Sequence, residues 1–117
     1  MTFYKEIETM ITGRFYLELT PTGDLNGEYS NRCLSSPGIY AENATRIGNG
    51  SGWLGDYNST WQEAPGSKIE SALLEITQKN PDLFFVKWYE ASSNKTKTKF
   101  EGEAMLAKGM LIGDYTD

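Results

Sequence analysis

Leu83-Phe84-Phe85-Val86-Lys87-Trp88-Tyr89-Glu90-Ala91 is the stretch whose reading decides the fold. Aromatic and branched residues at consecutive positions suit a central β-strand with both faces partly covered. Downstream of it, Ser92-Ser-Asn-Lys95 supplies turn chemistry. Phe100, Gly102, Ala104 and Leu106 then alternate with Glu101, Glu103, Met105 and Ala107, a clear period of two. Lys108-Gly109 makes a tight turn, and Met110 to Tyr115 returns as a last strand. Sequential hairpins of this kind predict an up-and-down antiparallel meander.

Upstream, the segment 67–78 supports two readings. Ser67 and Glu70 have capping-box spacing, and Ile69, Ala72, Leu73 and Ile76 draw a helical stripe. A strand instead places Ala72, Leu74 and Ile76 on one face, with Lys79-Asn-Pro-Asp82 as the turn into the Phe84-Phe85 strand. The strand is the preferred reading; a helix at 67–78 would make the fold α+β. Trp53 to Tyr57 reads as a strand, and Thr60 to Glu63 is left open as a further short one. Residues 32–50, punctuated by Pro37, Gly38, Gly48 and Gly50, read as one irregular strand or largely loop.

Nearer the start, Phe15, Leu17 and Leu19 share one face against Arg14, Tyr16, Glu18 and Thr20. Pro21-Thr-Gly-Asp24 then turns the chain into Leu25 to Asn31, giving a hairpin. Residues 2–11 carry Phe3, Ile7 and Met10 or Ile11 at helical spacing, which predicts a short N-terminal helical turn. Together these elements predict an all-β chain, an up-and-down antiparallel barrel of about eight strands, in one domain over 1–117. The 117 residues suffice for one core, and 12 glycines among Asn, Ser and Thr fit many turns between short strands.

The acidic balance, a net charge of −5, excludes nucleic acid and anionic membrane surfaces as expected partners, since both require a concentrated positive field. Lys95, Lys97 and Lys99 are the local exception and read as a solvated hairpin face. Met1-Thr-Phe-Tyr-Lys-Glu-Ile-Glu lacks a basic region followed by an apolar one, and no stretch approaches a membrane span, so a cytoplasmic protein is expected. Four Asn-X-Ser/Thr triplets, at Asn43, Asn49, Asn58 and Asn94, fall in segments read as loops or strand ends.

Leu25-Asn-Gly-Glu-Tyr29, Leu54-Gly-Asp-Tyr57 and Leu111-Ile-Gly-Asp-Tyr115 share a local pattern of glycine, acid and tyrosine. In a small barrel such a glycine permits sharp coiling and the aromatic covers bared backbone, so the pattern reads as a repeated barrel-corner device. Gly13-Arg-Phe-Tyr16 resembles the Gly-X-Trp opening of lipocalin barrels, with Phe15 in the tryptophan's place. The run from Phe84 through Trp88, Phe100, Gly102 and Leu111-Ile-Gly-Asp-Tyr115 resembles the closing strands of bacterial calycin-like proteins. Apart from 32–50, the chain is thus similar to the calycins, the lipocalin and avidin superfamily. Avidins follow their opening with Gly-X-Tyr, matched by Gly27-Glu-Tyr29, and the resemblance implies a ligand-pocket role for Tyr29. Leu17 and Asn31 stand where that family carries a biotin-binding Asn and a Ser, so biotin is not implied.

The chain has no histidine, which removes Ser-His-Asp and Cys-His nucleophiles, proximal-His haem ligation and the commonest zinc sites. Its one cysteine, Cys33, can form neither an internal disulfide nor a CxxC pair. No cofactor, metal or catalytic residue is therefore expected. Glu28, Asp56, Glu101, Glu103 and Asp114 remain as acids and read as solvated surface groups. The candidate ligand-binding residues are Tyr29, Trp53, Tyr57, Trp88, Phe100 and Tyr115, rings that would line a barrel mouth.

Three functions follow as expectations. A small apolar or amphipathic ligand bound in the barrel without catalysis leads. A structural or interaction domain forming a homo-oligomer is the alternative. A His-free isomerase or cyclase is the third, and it requires a buried acid with a raised pKa beside a tyrosine.

Overall fold

A computed structural model describes residues 11–31 and 38–117. Eight strands follow in chain order: β1 (Thr12–Leu19), β2 (Leu25–Asn31), β3 (Tyr40–Ser51), β4 (Leu54–Trp61), β5 (Glu70–Asn80), β6 (Leu83–Tyr89), β7 (Thr98–Ala107) and β8 (Met110–Thr116). Each pairs antiparallel with the next, and β8 returns to β1 with Thr12 opposite Thr116, which closes the barrel. Closure removes the open edges that a sheet of this size would otherwise expose.

The period-two faces point as the alternation requires. Phe15 and Leu17, Phe84, Val86 and Trp88, and Ala104 all face the interior, while Glu101 and Glu103 face solvent. The contested segment is strand, with Ala72, Leu74 and Ile76 buried in β5. Ile69, which only a helical stripe would bury, is 69% exposed. Leu106 keeps the face of Ala104, opposite the buried Leu111, but as the last position of its set before the β7–β8 turn it lies 44% exposed. The uncertain region 32–50 contains a long strand, β3, whose register against β4 shifts between Ile47 and Ser51. Asn43 and Asn58 lie within β3 and β4 rather than in loops or at strand ends, and both are exposed. Cys33 and all of the expected N-terminal helical turn except Ile11 lie outside the described residues. Among the described residues no helix is long and apolar enough to cross a membrane.

The glycine–acid–tyrosine pattern has a packing cause. A Cβ on Gly27 would stand 1.9 Å from the Tyr16 carbonyl oxygen of β1, so only glycine lets these strands approach. Two residues on, Tyr29 turns inward and is buried, as are Tyr57 and Tyr115.

The two ends of the barrel differ. The turns 20–24, 52–53, 81–82 and 108–109 gather at one end, the closed end, while the connections 62–69 and 90–97 stand at the other. Arg46 of β3 ties the closed end together. Its Nε donates to Gly23 O at 2.9 Å and its Nη1 to Leu54 O at 2.9 Å; its Nη2 donates to Gly52 O and, at 2.8 Å, to Tyr57 Oη. The guanidinium also lies 4.8 Å from the centroid of the Tyr57 ring. A planar fork with five donors can serve three chain segments at once, which a single ammonium cannot. Arg46→Lys is therefore expected to lower stability by about 2 kcal/mol, because several half-buried carbonyls lose charge-assisted donors together. Urea denaturation checks this, and an unchanged midpoint would contradict it.

Candidate functional site

Among the described residues, the end opposite Arg46 forms a mouth. Tyr29 and Asn31 from β2, Glu42 from β3, Trp61 at the end of β4, Glu63 just beyond it, Trp88 from β6, Phe100 from β7 and Tyr115 from β8 line it. All except Glu63 are strand residues, so the barrel wall itself positions the side chains. The rings form an edge-to-face chain: Phe15 against Trp88 at 5.4 Å between centroids, Trp88 against Tyr115 at 5.9 Å, Tyr115 against Phe100 at 5.5 Å, and Phe100 against Trp61 at 6.4 Å. Such packing fixes ring orientation better than apolar contact alone.

Set among these rings is Glu42, only 4% exposed. Its Oε2 accepts from Ser59 Oγ at 2.6 Å and from Trp88 Nε1 at 2.7 Å. Strands β3 and β6 are not neighbours, so the Glu42–Trp88 bond crosses the interior. Both donors land on the same oxygen, and among the described residues none reaches Oε1. Burial raises the carboxyl above its ordinary pKa of 4.5, and the two hydrogen bonds offset only part of that rise.

Around Glu42, Asn31 Nδ2 donates to Tyr115 Oη at 2.8 Å, and Tyr29 Oη donates to Gln62 O at 2.5 Å. Burial, reinforced by Glu63, also pushes the Tyr29 phenol well above its usual range, so it remains a donor at any physiological pH. The cavity left between these side chains measures about 30 Å³, room for a group the size of one or two water molecules. The mouth can therefore accept a headgroup, with the rest of a ligand lying outside it.

Of the six expected ring positions, Tyr29, Trp88, Phe100 and Tyr115 meet at this mouth. Tyr57 and Trp53 lie at the closed end, where Tyr57 Oη donates to Trp53 O at 2.8 Å. The five surface acids lie outside the mouth: Lys95 bridges Asp56 at 3.1 Å, Lys79 pairs with Glu103 at 3.0 Å, Tyr16 donates to Glu28, and Glu101 and Asp114 are exposed. The sequence reading missed Asn31, Glu42, Trp61 and Glu63. A signal for Glu42 does exist: Tyr40, Glu42, Ala44 and Arg46 share one face of β3, so two charged side chains occupy the period-two positions that normally carry apolar ones. Among the described residues, no three His, Cys, Asp or Glu side chains gather to hold a metal ion. The chain matches no known family model, no curated protein and no solved structure.

Proposed function

We propose that this chain is a calycin-like binding barrel that takes the polar head of a small amphipathic ligand at its mouth, without catalysis. The observation that carries this reading is the buried carboxyl of Glu42 set among Trp61, Trp88, Phe100 and Tyr115 at the end opposite Arg46. Rings supply apolar area, and a few convergent polar groups fix orientation, which is the usual composition of a ligand site. Glu42 beside Tyr29 and Tyr115 also meets the requirement set for a His-free enzyme. The space favours binding, because about 30 Å³ holds a headgroup but not a substrate and its reacting partner.

The test is a thermal-shift and tryptophan-fluorescence screen with single-chain amphiphiles differing only in headgroup, alongside flavonoids, tetrapyrroles and biotin. At least one amphiphile is expected to raise Tm and shift the emission of Trp61 and Trp88, and Phe100→Asp is expected to abolish both signals. No response to any compound would overturn the reading.

A second reading, a homodimer, is favoured by one observation. Met105 and Ile112 pair across β7 and β8 on the outer wall, Leu83 and Tyr16 extend that row on either side, and Met105 is 53% and Ile112 38% exposed. Arg14 and Lys87 flank the row together with Glu101, Glu103 and Asp114. A second copy related by a two-fold axis would set these cations against these acids. Light scattering behind size exclusion tests this: Met105→Glu is expected to split a dimer, and a wild-type monomer at all concentrations would remove the reading.

A further inference from the structure

We infer that the headgroup this mouth selects is the ammonium of a primary amine, with Glu42 as its counter-ion. The inference rests on the binding reading above and adds the chemistry of the ligand. Four observations converge on it.

The first is the carboxyl itself. Glu42 is almost fully buried, and both of its protein donors occupy Oε2, so its remaining oxygen is the acceptor position a ligand can use. An –NH3⁺ group has three donors and no acceptor, which complements a carboxylate oxygen. The second is the wall. Trp61, Trp88, Phe100 and Tyr115 present the π-systems that attract cations, and the desolvated setting strengthens that attraction.

The third is the sign of the surroundings. Among the described residues, two acids, Glu42 and Glu63, line the mouth, and Lys99 at its rim sits with its own ammonium 5.5 Å from the Trp61 ring centroid. The protein thus already places one ammonium against this aromatic cluster. The fourth is size. About 30 Å³ suits a compact ammonium better than a trimethylammonium, whose three methyl groups need several times that room.

Pairing requires Glu42 to be ionised when the amine is bound. A carboxyl that is protonated in the free barrel must then release its proton to solvent: R–NH3⁺ plus the neutral acid gives the ion pair plus H⁺. Among the described residues, the other titratable groups facing the site are Tyr29 from β2, Tyr40 from β3, Glu63 beyond β4, Lys99 from β7 and Tyr115 from β8. A variant at Glu42 is needed to assign the released proton.

The experiment compares n-hexylamine, n-hexanol and hexyltrimethylammonium by isothermal titration calorimetry in two buffers of different ionisation enthalpy, on the unmodified chain and on Glu42→Gln. Hexylamine is expected to bind at least about tenfold more tightly than hexanol or the quaternary ion. It is also expected to release protons on binding to the unmodified chain, measured at pH 5. In Glu42→Gln, whose amide oxygen still accepts from Trp88 and Ser59, the amine advantage over hexanol and the proton release should both disappear.

Equal binding of hexanol and hexylamine would overturn the inference and leave the binding reading standing. Tight binding of the quaternary ion would overturn the size argument and with it the choice of a primary amine. Absence of binding by all three would overturn both readings. The comparison of the three ligands on the unmodified chain decides the matter without relying on the variant.

Discussion

Replacing Gly102 by alanine is expected to destabilise the barrel by about 3 kcal/mol, the upper range of overpacking costs. For a chain of this length that corresponds to a fall in Tm of roughly 12 °C. A Cβ on Gly102 would stand 1.8 Å from the Asp114 carbonyl oxygen and 3.0 Å from the Tyr115 Cα, both backbone atoms of β8. A flexible side chain could swing aside, but backbone can yield only if β7 and β8 part. The strain falls beside Tyr115, so the mouth should loosen along with the fold. Gly38 supplies the control, because a Cβ there meets nothing closer than the Tyr40 ring atoms at 3.7 Å. Gly38→Ala should leave Tm within a degree or two. Thermal denaturation by circular dichroism compares the two, and equal melting temperatures would refute the close-approach argument.

Glu42→Leu is expected to cost about 2–4 kcal/mol at pH 4, since the Trp88 N–H and the Ser59 hydroxyl would both be left buried without an acceptor. Glu42→Gln keeps an acceptor oxygen and should lose far less. The two variants also separate along the pH axis. The folded-state pKa of Glu42 lies above its unfolded value, so its protonation favours the native state. That contribution is fully present below about pH 4.5 and is lost as pH rises through the folded value. Relative to the unmodified chain, Glu42→Gln should therefore gain stability as pH is raised from 4 to 8. The comparison matters because Glu75 acts with opposite sign: the hydrogen bond from Lys95 lowers its pKa, and its contribution appears as pH rises. Urea midpoints at pH 4, 6 and 8 check this, and parallel profiles for the two proteins would rule out a buried, strained carboxyl.

How much of this was legible beforehand depended on where each residue finds its partners. Phe84, Val86 and Trp88, or Phe15 and Leu17, declare their face locally, because an apolar side chain needs only the interior. The choice at 67–78 was harder, since Ala72 and Ile76 belong to both the helical and the strand patterns, and only the exposure of Ile69 separates them. β3 was obscure for a different reason. Glu42 is satisfied by Trp88, 46 residues away, and Arg46 by carbonyls from two other turns, so no local rule reports that these charges point inward. All six candidate rings are buried or half-buried. Alternation reveals which face a ring takes but not which end of the barrel it reaches, and Trp53 and Tyr57 sit at the closed end for that reason.

The seam between β1 and β8 bears on how the chain is made. Thr12 pairs with Thr116, and Asp117 N donates to Ile11 O at 3.0 Å, so the closing hydrogen bonds join opposite ends of the sequence. During translation the growing sheet carries two open edges, one of them always β1, until the eighth strand has left the ribosome. Strand edges left open for that interval are templates for pairing with another nascent chain. Closure thus waits for β8, and the yield of the barrel in a cell should depend on how long β1 waits for its partner.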